Sequence, residues 1–361
     1  MVFNHLFVLL EIQIKQSSGN LSVSEVVITG ENYLAFNTSG TVDIGQSTPD
    51  PEDSYSITFP STIPSGISNR VALALSSSVT PTRSYTTTPK IYLMVLPKTG
   101  TSVITFAIKC GSDYKFIQKR TPTGGFSRGR KYIVQMDLSN ATEYPGTNLS
   151  PVTIESVTWA PVNCGYDSDS TYGRYYQFYR KFGLGYGNYT SVAEPGPFPL
   201  ETGSDVLKRG VFLSRGVSST YDWADEQPET WSMTDFYNPC PPGWRVPDDT
   251  EIQSLVDAGH TWVSSGGTDN LAGRYFGGDH SSTREGSLFL PASGALNANG
   301  APLAQPRGTI AYYRTINTIT YNNEPRSSAI YFSATVFYDI NSGGVSSLRR
   351  SFAASVRCVK K

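Results

Sequence analysis

The sequence predicts a mainly β protein of two domains: a β-sandwich of Greek-key type, then a loop-rich α+β domain. Three observations lead there. Short segments of period-2 hydrophobicity recur through the first 140 positions, as strands with one buried face require. Turn formers are dense, with Gly 33 and Pro 23 in 361 residues. Charged residues are 16%, against roughly a quarter in an average soluble domain, so the charge-rich composition of coiled coils and helical bundles is absent. A hydrophobic content of 38% with 12% aromatics argues against disorder, because such a chain can bury a core. The length suits two domains.

Taken in order, Met1 to Leu10 is apolar but makes a poor signal peptide. It carries no basic start and no small-residue cleavage site, and Glu11 arrives early. Leu10, Ile12 and Ile14 alternate with Glu11, Gln13 and Lys15 as a strand from inside a domain would, so the chain is expected to begin part-way into a longer protein. Tyr55, Ile57 and Phe59 alternate with polar residues; so do Ile104, Phe106 and Ile108, and Tyr132, Val134, Met136 and Leu138. Val71, Leu73 and Leu75 alternate with alanines. The run Ile91 to Leu96 is apolar on both faces, which predicts a central strand. These readings place a first domain at 1–145, a polar, periodicity-free linker at 146–155, and a second domain at 156–361.

In the second domain the texture changes. All five tryptophans lie there (Trp159, Trp223, Trp231, Trp244, Trp262). One helix is predicted, with Asp248 as N-cap and Glu251 at capping-box spacing, Ile252, Leu255 and Val256 on one face, and Gly259 at its end. Strands are expected at Ser287–Leu290, Ile330–Tyr338 and Ser355–Val359.

Net charge is −1 with no basic stripe, which argues against nucleic acid as a partner. No run reaches the roughly 18 apolar residues of a membrane span, so no transmembrane segment is expected. Four cysteines (Cys110, Cys164, Cys240, Cys358) have no metal-ligand spacing. They fit one or two bridges in an exported protein, or free buried thiols. The three histidines (His5, His260, His280) lack metal-site spacing, no Gly-x-Ser-x-Gly elbow occurs, and Asp248-Asp249 reads as helix capping. The sequence therefore predicts no catalytic residue, no metal and no cofactor, and leaves the ligand-binding residues open. Tyr172, Tyr175, Tyr176, Tyr179, Trp223 and Trp231 could stack on sugar rings or simply pack.

The most specific string is Asn238-Pro-Cys-Pro-Pro-Gly-Trp-Arg-Val-Pro247, running into Glu251. With Trp159-Ala-Pro-Val-Asn-Cys-Gly165, Leu288-Phe-Leu-Pro-Ala-Ser-Gly294 and Ser355-Val-Arg-Cys-Val359, it resembles the Fibrobacter succinogenes major paralogous domain of Bacteroidetes surface proteins, over 157–360. That resemblance implies a C-type-lectin-like fold, and with it a Cys240–Cys358 bridge, Cys164 with either partner being the competitor. Pro239, Pro241, Pro242 and Pro247 are read as stiffening the lead into the helix. Gly243 is read as a tight turn, Trp244 as a core plug, and Arg245 as pairing with backbone or a carboxylate.

The first domain resembles the fimbrillin (FimA/Mfa-like) pilins of type V pili, in Phe3–Ile14, Tyr92–Pro97 and Phe126–Leu138. This implies a sandwich incomplete at its N-terminus, export as a lipoprotein to the outer membrane or fimbrium, and assembly with other pilin subunits by donor-strand pairing. The resemblance further implies an adhesion role, with a carbohydrate or surface protein as possible ligand. The alternative is a surface lipoprotein that binds glycans without polymerising.

Overall fold

The computed structural model describes residues 7–17, 20–30, 35–36, 67–68, 70–187, 190–193, 211–214, 229–233, 237–278 and 286–361. It is mainly β, in several open sheets, with one α-helix among the described residues. Two compact units divide between Ala141 and Thr142.

In the first unit, β1 (Val8–Lys15), β2 (Val23–Gly30), β3 (Arg70–Val79), β4 (Lys90–Val95), β5 (Val103–Cys110), β6 (Asp113–Arg120) and β7 (Lys131–Asp137) form two sheets. One has the order β7-β1-β4, with β1 parallel to β7 and antiparallel to β4. The other has the order β3-β2-β5-β6 and is antiparallel throughout. The period-2 pattern explains the packing: Val8, Leu10, Ile12 and Ile14 of β1 meet Val26 and Ile28 of β2 and Phe106 and Ile108 of β5 in one core. Each such side chain contributes about 1.5–3 kcal/mol on burial.

The run Ile91–Leu96 departs from its expected central place. Its strand β4 is the outer member of its sheet, and β1 is the middle. Ile91, Leu93 and Val95 point into the core, while Tyr92 and Met94 are 50% and 62% exposed. The outward neighbours of Glu11 across the sheet are Tyr92 and Ile133, and Glu11 itself is 2% exposed. Apolar residues on the outward face thus flank a carboxylate, which accepts from Lys131 at 2.9 Å and from Gln13 at 2.7 Å. Tyr55, Ile57 and Phe59 lie outside the described residues.

In the second unit the elements are β8 (Val152–Ile154), β9 (Val157–Trp159), β10 (Trp244–Arg245), α1 (Asp249–Asp257), β11 (His260–Val263), β12 (Gly273–Phe276), β13 (Leu288–Pro291), β14 (Ile310–Tyr321), β15 (Glu324–Ser333), β16 (Phe337–Tyr338), β17 (Ser347–Arg349) and β18 (Val359–Lys360), with shorter pieces between. The expected linker is corrected here: 146–155 belongs to this unit, and the first unit stops at Ala141 rather than 145. Val152–Ile154 pairs with Val157–Trp159 across Glu155 and Ser156, both in the left-handed region, and Ile154 is buried in the core. Three-residue strands are too short for periodicity to reveal.

Sequence reading also missed β14, whose partner is β15. Their two-residue turn, Asn322-Asn323, has positive φ at both positions, the geometry of a type I′ hairpin. The expected strand Ile330–Tyr338 is broken, because Ser333 N–H donates to Val336 O and folds the chain back into β16. Ser355–Val359 is strand only from Val359. The helix agrees with its reading. Asp248 accepts from Glu251 N–H, Glu251 accepts from Asp248 N–H, Ile252 and Leu255 are buried, and Gly259 follows at φ +86°. No helix among the described residues is long and apolar enough to cross a membrane.

Candidate functional site

The Pro-rich string is a strap around the last strand. Trp244 and Arg245 pair with Lys360 and Val359, whose other side meets Trp159. Asn238 braces the loop: its Nδ2 donates to Trp244 O at 2.8 Å, and its Oδ1 accepts from Cys240 N–H at 3.1 Å. Pro239, Pro241 and Pro242 lie within that braced turn, and Gly243 takes φ +82°, which a side chain would oppose. Trp244 is buried and meets Tyr144 edge-on, ring centroids 5.2 Å apart. Pro247 O accepts from Ile316 N–H. Arg245 forks onto Glu251 with bonds of 2.7 and 2.5 Å, and Glu251 is also the N3 residue of the capping box. One carboxylate therefore serves both the strap and the helix start. Asp248 and Asp249 are both engaged, Asp249 through Thr315 and Asn317, and burial raises the Asp249 carboxyl.

Cys240 and Cys358 are joined by a disulfide, with Cα atoms 6.0 Å apart. Cys164 stays a thiol, as does the buried Cys110 of the first unit. The sulfurs of Cys164, Cys240 and Cys358 all lie within 4.8 Å of one another. Two of the three are covalently joined, so the set offers one thiol rather than three thiolate ligands for a metal. Burial pushes that thiol up to about 11.

Beside the sulfurs, Arg357 is 1% exposed. It donates to Asn163 Oδ1 (2.9 Å), Ala160 O (3.0 Å) and Phe289 O (2.9 Å). Desolvation lowers its pKa, yet its planar fork satisfies three diverging acceptors at once. Asn163 in turn donates to Tyr172 O at 2.9 Å and Tyr313 Oη at 3.0 Å. This network holds the 160–172 loop over β13 and lines a shallow surface hollow of about 10 Å³, room for one water molecule. Its walls include Pro161, Thr171, Asp269, Phe289 and Pro291. From the segment between β13 and β14, Arg307 lies 4.0 Å from the Tyr186 ring, 5.0 Å from Tyr172 and 5.3 Å from Tyr175, and its Nε donates to Tyr175 Oη at 2.8 Å.

Of the aromatics that could either stack on sugars or pack, Tyr175, Tyr176 and Trp231 are buried packing residues. Tyr179 is taken up by Phe178 and Tyr237, and Trp223 lies outside the described residues. His260 stacks on Phe337 at 4.0 Å, with Nδ1 2.9 Å from Arg274; His5 and His280 lie outside the described residues. Glu324 is consumed by ion pairs with Arg326 and Arg349. Sequence reasoning quoted Asn163, Asn238 and Arg357 inside its motifs without giving them roles. Their signal was proximity to cysteine, and it did not say that they bond one another. Tyr144 and Arg307 carried no signal. No protein-family model and no curated protein matches the chain.

Proposed function

We propose that this chain is a cell-surface adhesion protein, a fimbrial subunit at a pilus tip or an accessory position. Its first unit, read as a Greek-key-type sandwich, joins other pilin subunits by strand addition, and its second, read as lectin-like, binds a host or bacterial ligand. The role is binding rather than catalysis, on the extracellular side of the outer membrane or on the fimbrium. The observation that carries this reading is the Asn238–Glu251 strap, taken with the order of the motifs around it. Its side chains are spent on scaffolding, which frees the neighbouring loops to vary with a ligand. The disulfide supports export to an oxidising compartment.

The test is an immunoblot of sheared fimbriae separated without boiling. Presence of this chain in high-mass ladders is expected, and its restriction to the monomer position sinks the pilin reading. One observation favours a second reading, a glycan-binding surface protein that does not polymerise: the Arg307 guanidinium among Tyr172, Tyr175 and Tyr186. On that reading the purified chain binds immobilised glycans, and Arg307→Ala abolishes binding while the ladder is absent.

A further inference from the structure

Three segments bring the sulfurs together. Cys164 N–H donates to Val356 O, and Ala160 N–H donates to Cys358 O, both at 2.9 Å, so the 160–164 stretch lies alongside 356–358. The strap carries Cys240 to the same place, and the Cys164 thiol donates to Pro239 O at 3.2 Å, one residue from Cys240. Tyr144 Oη donates to Cys358 Sγ at 3.5 Å. A single disulfide with a third sulfur inside 4.8 Å is the arrangement thiol–disulfide exchange needs.

We propose that Cys164 is the relay sulfur of an internal disulfide exchange: it bonds Cys240 first during oxidative folding, then passes that partner to Cys358 when the last strand docks. Chain order favours this. Cys164 is nearer to Cys240 along the sequence than Cys358 is, which gives about two-fold higher effective concentration in the unfolded chain. Both residues also precede Cys358 in synthesis. In the first step a low-molecular-weight disulfide oxidises the Cys164 and Cys240 thiols. The Cys164–Cys240 bond forms, the oxidant's S–S bond breaks, and its two halves leave as thiols carrying the two protons. In the second step the Cys358 thiolate attacks Cys240 Sγ. The Cys240–Cys358 bond forms, the Cys164–Cys240 bond breaks, and its electron pair departs on Cys164 Sγ, which takes up the proton that Cys358 lost. No net oxidation occurs in the second step. Once buried, the Cys164 thiol holds its proton up to about pH 11, which suppresses the reverse attack. The relay is independent of the adhesion reading and holds for any oxidising setting.

The experiment uses the full chain, reduced and unfolded, then refolded in reduced and oxidised glutathione. Samples are quenched with acid at intervals, alkylated and mapped by mass spectrometry. A Cys164–Cys240 bridge is expected early, declining as Cys240–Cys358 grows. Cys164→Ser is expected to slow formation of the final bridge several-fold, and Cys358→Ser to end as Cys164–Cys240. The proposal is overturned if no bridge through Cys164 appears at any time, if Cys164→Ser forms the final bridge at the wild-type rate, or if intermediates run through Cys110 instead. Should Cys358→Ser fail to fold, the wild-type time course and Cys164→Ser decide alone.

Discussion

Replacing Glu251 tests whether one carboxylate couples the strap to the helix. In the native protein its two oxygens take the Arg245 fork at 2.7 and 2.5 Å, and one of them also accepts from Asp248 N–H at 2.9 Å. The side chains are 28% and 16% exposed for Arg245 and Glu251. Solvent therefore screens the pair only partly, and a bidentate bond of this kind is worth about 1–1.5 kcal/mol after that discount. Losing the reciprocal half of the capping box adds about 0.5 kcal/mol. Glu251→Met, which removes both acceptors at similar volume, is expected to cost about 1–2 kcal/mol, and the double-mutant cycle with Arg245→Met to return a coupling of about 1 kcal/mol. Asp248→Ala, which removes the cap alone, is expected to cost about 1 kcal/mol. Urea unfolding followed by tryptophan fluorescence is the assay, because all five tryptophans lie in the second unit and the first contributes no signal. A coupling under about 0.3 kcal/mol would refute the reasoning, since Arg245 and Glu251 would then be neighbours without being partners.

Three further outcomes are expected. Arg357→Met leaves Asn163 Oδ1, Ala160 O and Phe289 O without their donor and should cost about 3 kcal/mol by the same assay, net of the desolvation it relieves. Arg357→Lys should lose nearly as much, because a point ammonium cannot reach three diverging carbonyls; a loss under about 0.5 kcal/mol would count against the network. The hydrogen bond from Lys131 is the largest of several influences holding the Glu11 carboxyl at about 2 instead of 4.5. Its stabilisation is therefore complete above the ordinary value and lost as pH falls through the folded one. By circular dichroism, the stability gap between wild type and Glu11→Gln should close between pH 4.5 and 2, and a gap unchanged across that window would contradict it. At the Asn322-Asn323 turn, Asn323→Gly should be neutral or stabilising, while Asn323→Val, forced to φ +60°, should cost about 1–2 kcal/mol in urea titration; equal effects would mean the turn relaxes.

Local chemistry was readable wherever it acts within a few positions. The capping box of Asp248 and Glu251, the period-2 faces of Val8–Lys15 and Val103–Cys110, and the Trp-rich texture of the second unit all follow from neighbours in the chain. The Arg245 partner was narrowed to backbone or carboxylate, and the fold supplied Glu251, six residues away. What failed needed distant pairing. Ile91–Leu96 looked central because both its faces are apolar, yet Tyr92 lies outward opposite the buried Glu11 of the neighbouring strand. Val152–Ile154 looked like a linker because a three-residue strand has no period, and the β14–β15 hairpin was missed although its Asn-Asn turn was in view.

The sequence by itself determined a β-rich, helix-poor chain and where the helix Asp249–Asp257 starts and stops. Those depend on backbone geometry and short-range hydrogen bonding. Tertiary structure decided which sulfurs meet, that Arg357 is buried on three acceptors, and that Arg307 lies among Tyr172, Tyr175 and Tyr186. These contacts join positions from 68 to 197 residues apart, and no local pattern encodes a partner that only packing brings near.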